Sequence, residues 1–498
     1  MPRTDELRQR YRAILSYTGV VLLLGAGLMV APLLALPAYP RRIDEAWAFL
    51  LPAGAMAALG LAAWRLLRPR RQVVLSVQEG GVIVLLSWVL VSLFSAVPFL
   101  EVADLGATQA VFEAVSGWTT TGLSVVDVTR ASPFVLLWRS IMQLAGGAGL
   151  AIIMLSALTG HSGPALSVAE GRQQLVPHVR RSAKLVLMIY TGYVVVGVLA
   201  LASAGMGWFD AVNHAFAAVS TGGFSTQPES IGHWDSVAVE AVTLPLMLLG
   251  SLNFATAWLL LRGKARHARR SGEVRLAAVL IPVVALLLFL LTCRGLYPAL
   301  GKSVRVAVFE TVTALTTTGF STVGYGQWNA FGWVVLIVLM LIGGGTCSTA
   351  GGIKQYRVYL LVKSLVWELR RWLLPRAAVV ENTVWEADHR VTVTDARLRQ
   401  IGTFVFLYLA TLAAGTAILA AHGYALKDAL FEYASAIGTV GLSVGVTSAS
   451  APVGVLWAEI VGMFLGRLEF LVVLASAAKL ARDAWTMARS AESTSRVA

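Results

Sequence analysis

One pattern occurs four times in this chain, each time between two long apolar stretches, and few folds can accommodate that. The segments read Phe112-Glu113-Ala-Val-Ser-Gly-Trp-Thr119-Thr120-Thr121-Gly122-Leu-Ser124, Asn213-His214-Ala-Phe-Ala-Ala-Val-Ser220-Thr221-Gly222-Gly223-Phe-Ser225, Phe309-Glu310-Thr-Val-Thr-Ala-Leu-Thr316-Thr317-Thr318-Gly319-Phe-Ser321 and Phe431-Glu432-Tyr-Ala-Ser-Ala-Ile-Gly438-Thr439-Val440-Gly441-Leu-Ser443. Aligned without gaps they share Thr-x-Gly-(Leu/Phe)-Ser, at a period of roughly 100 residues, long enough for each copy to carry its own flanking helices.

The flanking stretches set the medium. A helix that crosses a bilayer needs roughly 20 apolar residues. Ten segments qualify: 14–38, 46–66, 79–99, 134–158, 183–205, 236–261, 274–296, 331–350, 401–421 and 452–478. Apolar residues make up 57% of the chain and charged residues 13%, with a mean hydropathy of +0.72. A surface so poor in charge does not stay in water, so the chain reads as an all-α polytopic membrane protein. Helices are expected because backbone amides cannot stay unpaired in lipid, and the runs are too long for barrel strands. The first run, preceded by Arg8, Arg10 and Arg12, is too long for a cleavable signal. Two cysteines, Cys293 and Cys347, offer no disulfide framework.

Lysine and arginine outnumber acids 40 to 27, for a net charge of +13. If the N-terminal side is taken as inside, most of the basic residues fall in the inside segments, which places both termini in the cytoplasm. The excess is therefore read as topology, with some affinity for anionic lipid, and not as a nucleic-acid surface.

Each repeated segment is amphipathic and too short to cross. It can go in as a half-helix and return as an extended strand, which is tolerated at membrane depth only where it lines a cavity. Glycine at the third position permits φ > 0 and close approach of an ion. Four such strands around an axis give rings of carbonyls able to replace the water shell of K⁺. The bland alternative is a set of turn glycines at span ends, but turns do not require Thr two positions earlier and Ser two positions later. Glu113, Glu310 and Glu432, with His214 in the second copy, are placed at the half-helix starts. There they would match the helix dipole and attract cations.

With these segments in place the sequence resembles the TrkH/KtrB/HKT superfamily of cation transporters, most closely the bacterial TrkH type. The likeness runs along nearly the whole chain. It includes Trp138-Arg139-Ser-Ile-Met-Gln143-Leu-Ala-Gly146-Gly147-Ala-Gly149, Gly343-Gly344-Gly345-Thr346-Cys347-Ser348-Thr349-Ala-Gly351-Gly352-Ile-Lys354 and Gly466-Arg467-Leu-Glu469-Phe. The resemblance implies four span–pore-loop–span units around one ion pore, plus two extra N-terminal spans. The corresponding boundaries are 1–74, 75–172, 173–270, 271–396 and 397–498. It implies a K⁺ filter at Thr120, Thr121 and Gly122; Thr221, Gly222 and Gly223; Thr317, Thr318 and Gly319; and Thr439, Val440 and Gly441. In this family a serine in the first filter goes with Na⁺ transport, so Gly122 favours K⁺. A homodimer, a TrkA-like cytoplasmic nucleotide-binding ring and a place in the bacterial cytoplasmic membrane are also implied.

The run from Gly343 to Gly352 interrupts a hydrophobic span. Each glycine costs a helix roughly 1 kcal/mol against alanine. Gly343, Gly344, Gly345, Thr346, Cys347, Ser348, Thr349, Gly351 and Gly352 are read as an intramembrane gate loop, with Lys354 at the cytoplasmic boundary. The alternative is close helix packing through small residues. Arg467 lies about 15 residues, or roughly 20 Å of helix, into the last expected span. A charge at that depth should face a cavity or a partner. It is read as a pore-wall cation that helps hold the gate loop, against an ion pair with Glu459 or Glu469, or snorkelling.

The stretch Leu373 to Gln400 reads as a cytoplasmic surface loop, with Thr394 capping the helix that follows. No Walker lysine, dinucleotide fingerprint or metal-spaced histidine pair is present. The chain is thus expected to bind no cofactor of its own beyond K⁺ in the pore, and to be no enzyme. The leading reading is K⁺ uptake through a channel-like pore driven by the membrane potential. A Na⁺-permeable or ion-coupled (H⁺ or Na⁺) K⁺ symporter stands beside it. An alternating-access solute transporter would be expected to show inverted repeats, whereas these repeats keep one orientation.

Overall fold

The computed structural model of the chain describes residues 2–68, 75–149, 179–375, 381–386, 389–468 and 470–495. Two N-terminal helices, Pro2–Val30 and Trp47–Leu66, pack as a hairpin joined by 3₁₀ turns. Gly19 and Gly60 face each other across it, and a Cβ on either would press on the other's carbonyl oxygen. Small residues at a helix crossing let the backbones approach in this way.

Twelve of the described helices that follow form four groups of three, here numbered as units. Unit 1 is Val77–Ser95, Ala107–Trp118 and Pro133–Ala148; unit 2 is Val179–Ser203, Trp208–Val219 and Val237–Ser251. Unit 3 is Gly272–Leu288, Leu300–Thr316 and Ala330–Ile342; unit 4 is Asp395–Ala421, Leu426–Gly438 and Val453–Arg467. The helix starts carry local signals. Ser76 and Glu79 form a capping box, Ser132 caps a helix with Pro133 in its first turn, and Asn329 accepts from the Gly332 amide at 2.9 Å. Each such cap satisfies a donor that the helix leaves open.

Apolar clusters tie the units into a circle. Ala148 of unit 1 packs with unit 2 and with Phe309, Val312 and Phe320 of unit 3. Unit 3 and unit 4 share a cluster around Met340, Phe431 and Val440. Phe112, Val115 and Leu123 of unit 1 meet Leu456, Ile460 and Met463 of unit 4, so the circle closes.

Six described helices are long and apolar enough to cross a membrane, or up to eight if each of two bent pairs counts as one. Two of the ten expected spans bend sharply, and a third ends at the glycine run, as the sequence predicts. The 236–261 stretch breaks into Val237–Ser251 and Phe254–Leu261, 116° apart, because Leu252 is extended and Asn253 caps the second piece. The 452–478 stretch turns by 108° after Arg467, where Leu468 is extended. The 331–350 stretch is helical only to Ile342, since Gly343 takes φ +71. The end of the 134–158 stretch, the segment 150–178 and Glu469 lie outside the described residues.

The surface loop expected from Leu373 to Gln400 contains a two-stranded antiparallel hairpin, Thr383–Glu386 with His389–Thr392. It packs Val384 and Val393 on Leu360 and Trp367 of helix Gln355–Leu373. Thr394 does cap the next helix, accepting from the Arg397 amide at 3.3 Å.

Candidate functional site: a ring of four glycine segments and the loop beneath it

Each unit's short middle helix ends in the same way. The residue before the shared glycine donates its amide to the carbonyl five positions back: Thr121 to Ser116 at 2.9 Å, Gly222 to Ala217 at 2.8 Å, Thr318 to Thr313 at 3.0 Å, Val440 to Ser435 at 2.9 Å. The threonine two before each glycine is left-handed, with φ of 55, 52, 54 and 48° at Thr120, Thr221, Thr317 and Thr439. A β-branched residue is strained there, by about 1–3 kcal/mol, and persists only where its surroundings fix it. The glycines follow with φ of 92, 72, 80 and 94° at Gly122, Gly223, Gly319 and Gly441.

The four segments meet one another. A Cβ on Gly122 would fall on the carbonyl oxygen of Gly222, on Gly223 against that of Thr318, on Gly319 against that of Val440, and on Gly441 against that of Thr121. The order 1-2-3-4 thus returns to 1, and backbone carbonyls stand between neighbouring segments all the way round. Glycine is required here twice over, by its φ and by the lack of room. On one face of the ring opens a cavity of about 1010 Å³, lined by the four glycines, Ser124, Ser225, Ser321, Ser443, Asp127 and Glu229 among others.

The acids of the repeat are not at helix starts. Glu113, Glu310 and Glu432 lie within their helices and are fully buried. Each accepts from the strand that leaves the ring. Glu113 takes the Ser124 hydroxyl and the Val125 amide, both at 2.9 Å. Glu310 takes the Thr322 amide at 2.9 Å and the Tyr325 hydroxyl at 2.6 Å. Glu432 takes the Ser443 hydroxyl at 2.6 Å and the Val444 and Thr447 amides at 2.9 and 3.0 Å. His214 Nε2 bonds the Ser225 hydroxyl at 2.9 Å. These groups hold the segments that leave the ring, and they lie inside their helices instead of at the helix starts where the sequence pattern placed them. Arg139, 2% exposed, pairs with Glu113 at 2.7 Å and donates to the Ser225 carbonyl at 3.1 Å, tying unit 1 to unit 2.

The opposite face of the ring is covered by the 343–352 loop. Thr349 Oγ1 donates to the Gly250 carbonyl at 2.9 Å and lies 3.0 Å from Thr221 Oγ1. The Gly351 amide donates to Thr317 Oγ1 at 2.8 Å, and a Cβ on Gly351 would strike Thr439 Oγ1 and the Gly438 carbonyl. Gly345 donates to the Ser251 carbonyl at 2.9 Å. Thr346 gives both its amide, at 2.8 Å, and its hydroxyl to Glu273. Lys354 donates to the Ala350 carbonyl. Glu273, buried in the first turn of unit 3, was not expected from the sequence; nothing near it in the chain announces its partner.

Arg467 is the last residue of its helix rather than the middle of a span. Its guanidinium donates to the Thr349 carbonyl at 2.6 Å, the Gly146 carbonyl at 2.8 Å and the Gly147 carbonyl at 3.4 Å. Glu459, a partner only in the alternative ion-pair reading, accepts from Thr447 Oγ1 at 3.1 Å. Among the described residues no group of three or more His, Cys, Asp or Glu is placed to hold a metal, and Cys293 and Cys347 are both buried.

The model of the TrkH family, described as a cation transport protein, matches residues 53–486. This chain belongs to the TrkH family. As a member of it the chain is a membrane cation transport protein and not an enzyme. It is 30% identical over 433 residues to an uncharacterized cation transporter, MJ1485, of Methanocaldococcus jannaschii, covering 86% of this chain and 87% of that one. It is 30% identical over 482 residues to the Trk system potassium uptake protein TrkH of Halomonas elongata, covering 93% and 97%. The crystal structure of the potassium transporter TrkH from Vibrio parahaemolyticus superposes with a TM-score of 0.82 at 28% identity, covering 94% of this chain and 98% of that one.

Proposed function

We propose that this TrkH-family protein takes up K⁺ across the cytoplasmic membrane through a channel-like pore. In this reading the ring formed by residues 120–122, 221–223, 317–319 and 439–441 is the selectivity filter, and the 1010 Å³ cavity is its outer vestibule. The four short helices are pore helices, and the 343–352 loop with Arg467 is the gate. The observation that carries it is the closed succession of carbonyls and glycines from unit 1 to unit 4, the arrangement needed to exchange a hydration shell for backbone oxygens. The names of the Halomonas and Vibrio relatives, potassium uptake protein and potassium transporter, support K⁺ as the cargo.

No chemical energy source is needed for uptake. Each 100 mV across the membrane supplies about 2.3 kcal/mol per charge, roughly a 50-fold gradient. A cytoplasmic nucleotide-binding ring of the TrkA type would act through Lys354 and helix Gln355–Leu373, which continues directly from the gate loop. Assembly as a homodimer and cytoplasmic termini belong to the same reading.

Purified protein in liposomes tests it. Voltage-driven ⁸⁶Rb⁺ uptake that K⁺ competes away and Na⁺ does not is the expected result. Uptake that requires exchange for an organic solute, or that ignores the voltage, would overturn it.

A further inference from the structure

The last helices of the four units end with one spacing: Gln143-Leu-Ala-Gly146, Met247-Leu-Leu-Gly250, Met340-Leu-Ile-Gly343 and Met463-Phe-Leu-Gly466. A Cβ on Gly146, Gly250 or Gly466 would press on the carbonyl of Trp118, Val219 or Ile437, the residue four before the ring glycine. The helices therefore dock on the ring in register, and Gln143, Met247, Met340 and Met463 occupy equivalent places. All four are fully buried. Three are apolar and one is an amide.

Gln143 reaches from unit 1 into the segment of unit 2. Its Nε2 donates to the Gly222 carbonyl at 2.5 Å, and its Oε1 accepts from the Phe224 amide at 3.2 Å. The opposite orientation would set donor on donor and acceptor on acceptor, so the network fixes the amide. The two bonds bracket Gly223.

Unit 2 departs from the others at the matching position. Before the ring glycine stand Thr121, Thr318 and Val440 in three units and Gly222 in this one. The Thr121 and Thr318 hydroxyls bond those of Thr119 and Thr316 at 2.8 Å, and Val440 packs in the cluster that holds Met340. Gly222 has no side chain to anchor, and a Cβ on it would fall on the Gln143 amide.

We propose that Gln143 is a positioning residue for the second strand of the ring, its amide replacing the side chain that Gly222 lacks and setting the preference for K⁺ over Na⁺. This rests on the reading of the ring as a filter. A carbonyl tied to a buried amide resists moving inward to meet a smaller ion, and the bond it accepts weakens the field it offers. Both effects act against Na⁺.

The test compares Rb⁺ and Na⁺ flux in liposomes for wild type, Gln143→Met and the double variant Gln143→Met/Gly222→Val, which copies the Met340–Val440 pairing. Gln143→Met should lower the Rb⁺/Na⁺ ratio about three- to tenfold, the worth of one or two hydrogen bonds, while Rb⁺ flux persists. The double variant should recover most of that loss. An unchanged ratio in Gln143→Met, or a double variant no better than the single, overturns the proposal. If Gln143→Met does not reach the membrane, the double variant decides alone: a wild-type ratio supports the proposal and a lowered one overturns it. Gly122→Ser, run in parallel, separates the two readings. If it shifts the ratio and Gln143→Met does not, only the role of Gln143 fails; if neither does, the filter reading fails as well.

Discussion

The guanidinium of Arg467 and the carbonyl oxygen of Thr349 are 2.6 Å apart, although 118 residues separate them in the chain. The same guanidinium reaches Gly146 of unit 1. One cation thus fastens the loop of unit 3 to helices of units 1 and 4. Hydrogen bonds to a charged group are worth about 1.5–3 kcal/mol each, so this contact helps keep the loop under the ring beside the bonds made by Gly345, Thr346 and Thr349.

Arg467→Ala should therefore raise Rb⁺ flux, and removal of residues 345 to 350 should raise it further. The Rb⁺/Na⁺ ratio should change less than in Gly122→Ser, because the deletion takes only the Thr349 hydroxyl from Thr221 and leaves the ring glycines in place. Flux from protein reconstituted at equal density checks both. Wild-type flux in both variants, with normal insertion, would leave the loop without a gating role.

Glu273→Gln tests the other end of the loop. The carboxylate accepts both the amide and the hydroxyl of Thr346. A carboxamide keeps the size but weakens charge-assisted acceptance by about 1 kcal/mol. A several-fold rise in flux, smaller than that of Arg467→Ala, is expected from the same assay.

Glu113→Ala should cost the fold itself. It leaves Arg139, 2% exposed, as an uncompensated buried charge and frees Ser124 and Val125. Breaking a buried pair in this way costs about 3–5 kcal/mol. Thermal unfolding in detergent should fall markedly. Removing both charges, by Glu113→Gln with Arg139→Met, should recover part of the loss.

Gly122→Ser should lower the preference for K⁺. The residue has φ +92 and a Cβ there falls on the Gly222 carbonyl, so the ring must shift to admit it. The ratio of Rb⁺ to Na⁺ flux measures the change; an unaltered ratio would take Gly122 out of the filter.

Much of this site was legible in the sequence because its demands are local. A left-handed threonine followed two residues later by a left-handed glycine leaves Thr-x-Gly as its trace, and four copies reveal the ring. The glycine run at 343–352 likewise announces that a helix cannot continue. In units 1, 2 and 4 the clamp leaves a spacing of eleven, between Glu113 and Ser124, His214 and Ser225, and Glu432 and Ser443, whereas Glu310 takes the Thr322 amide, twelve residues on. A carboxylate near a half-helix fits the helix dipole equally well, so the spacing alone does not name its partner. Hydropathy did not show the bends after Ser251 and Arg467, since apolarity carries no direction. Contacts such as Thr346 with Glu273 or Gln143 with Gly222 join residues 73 and 79 apart and leave no periodic mark.

The most direct test of the central claim is the position of Rb⁺ by anomalous diffraction from crystals grown in RbCl. Ion density should lie on the axis of the ring, surrounded by the carbonyl oxygens of Thr121, Gly222, Thr318 and Val440, above the 343–352 loop. Rb⁺ bound elsewhere in the membrane region, with none at the ring, would contradict the account.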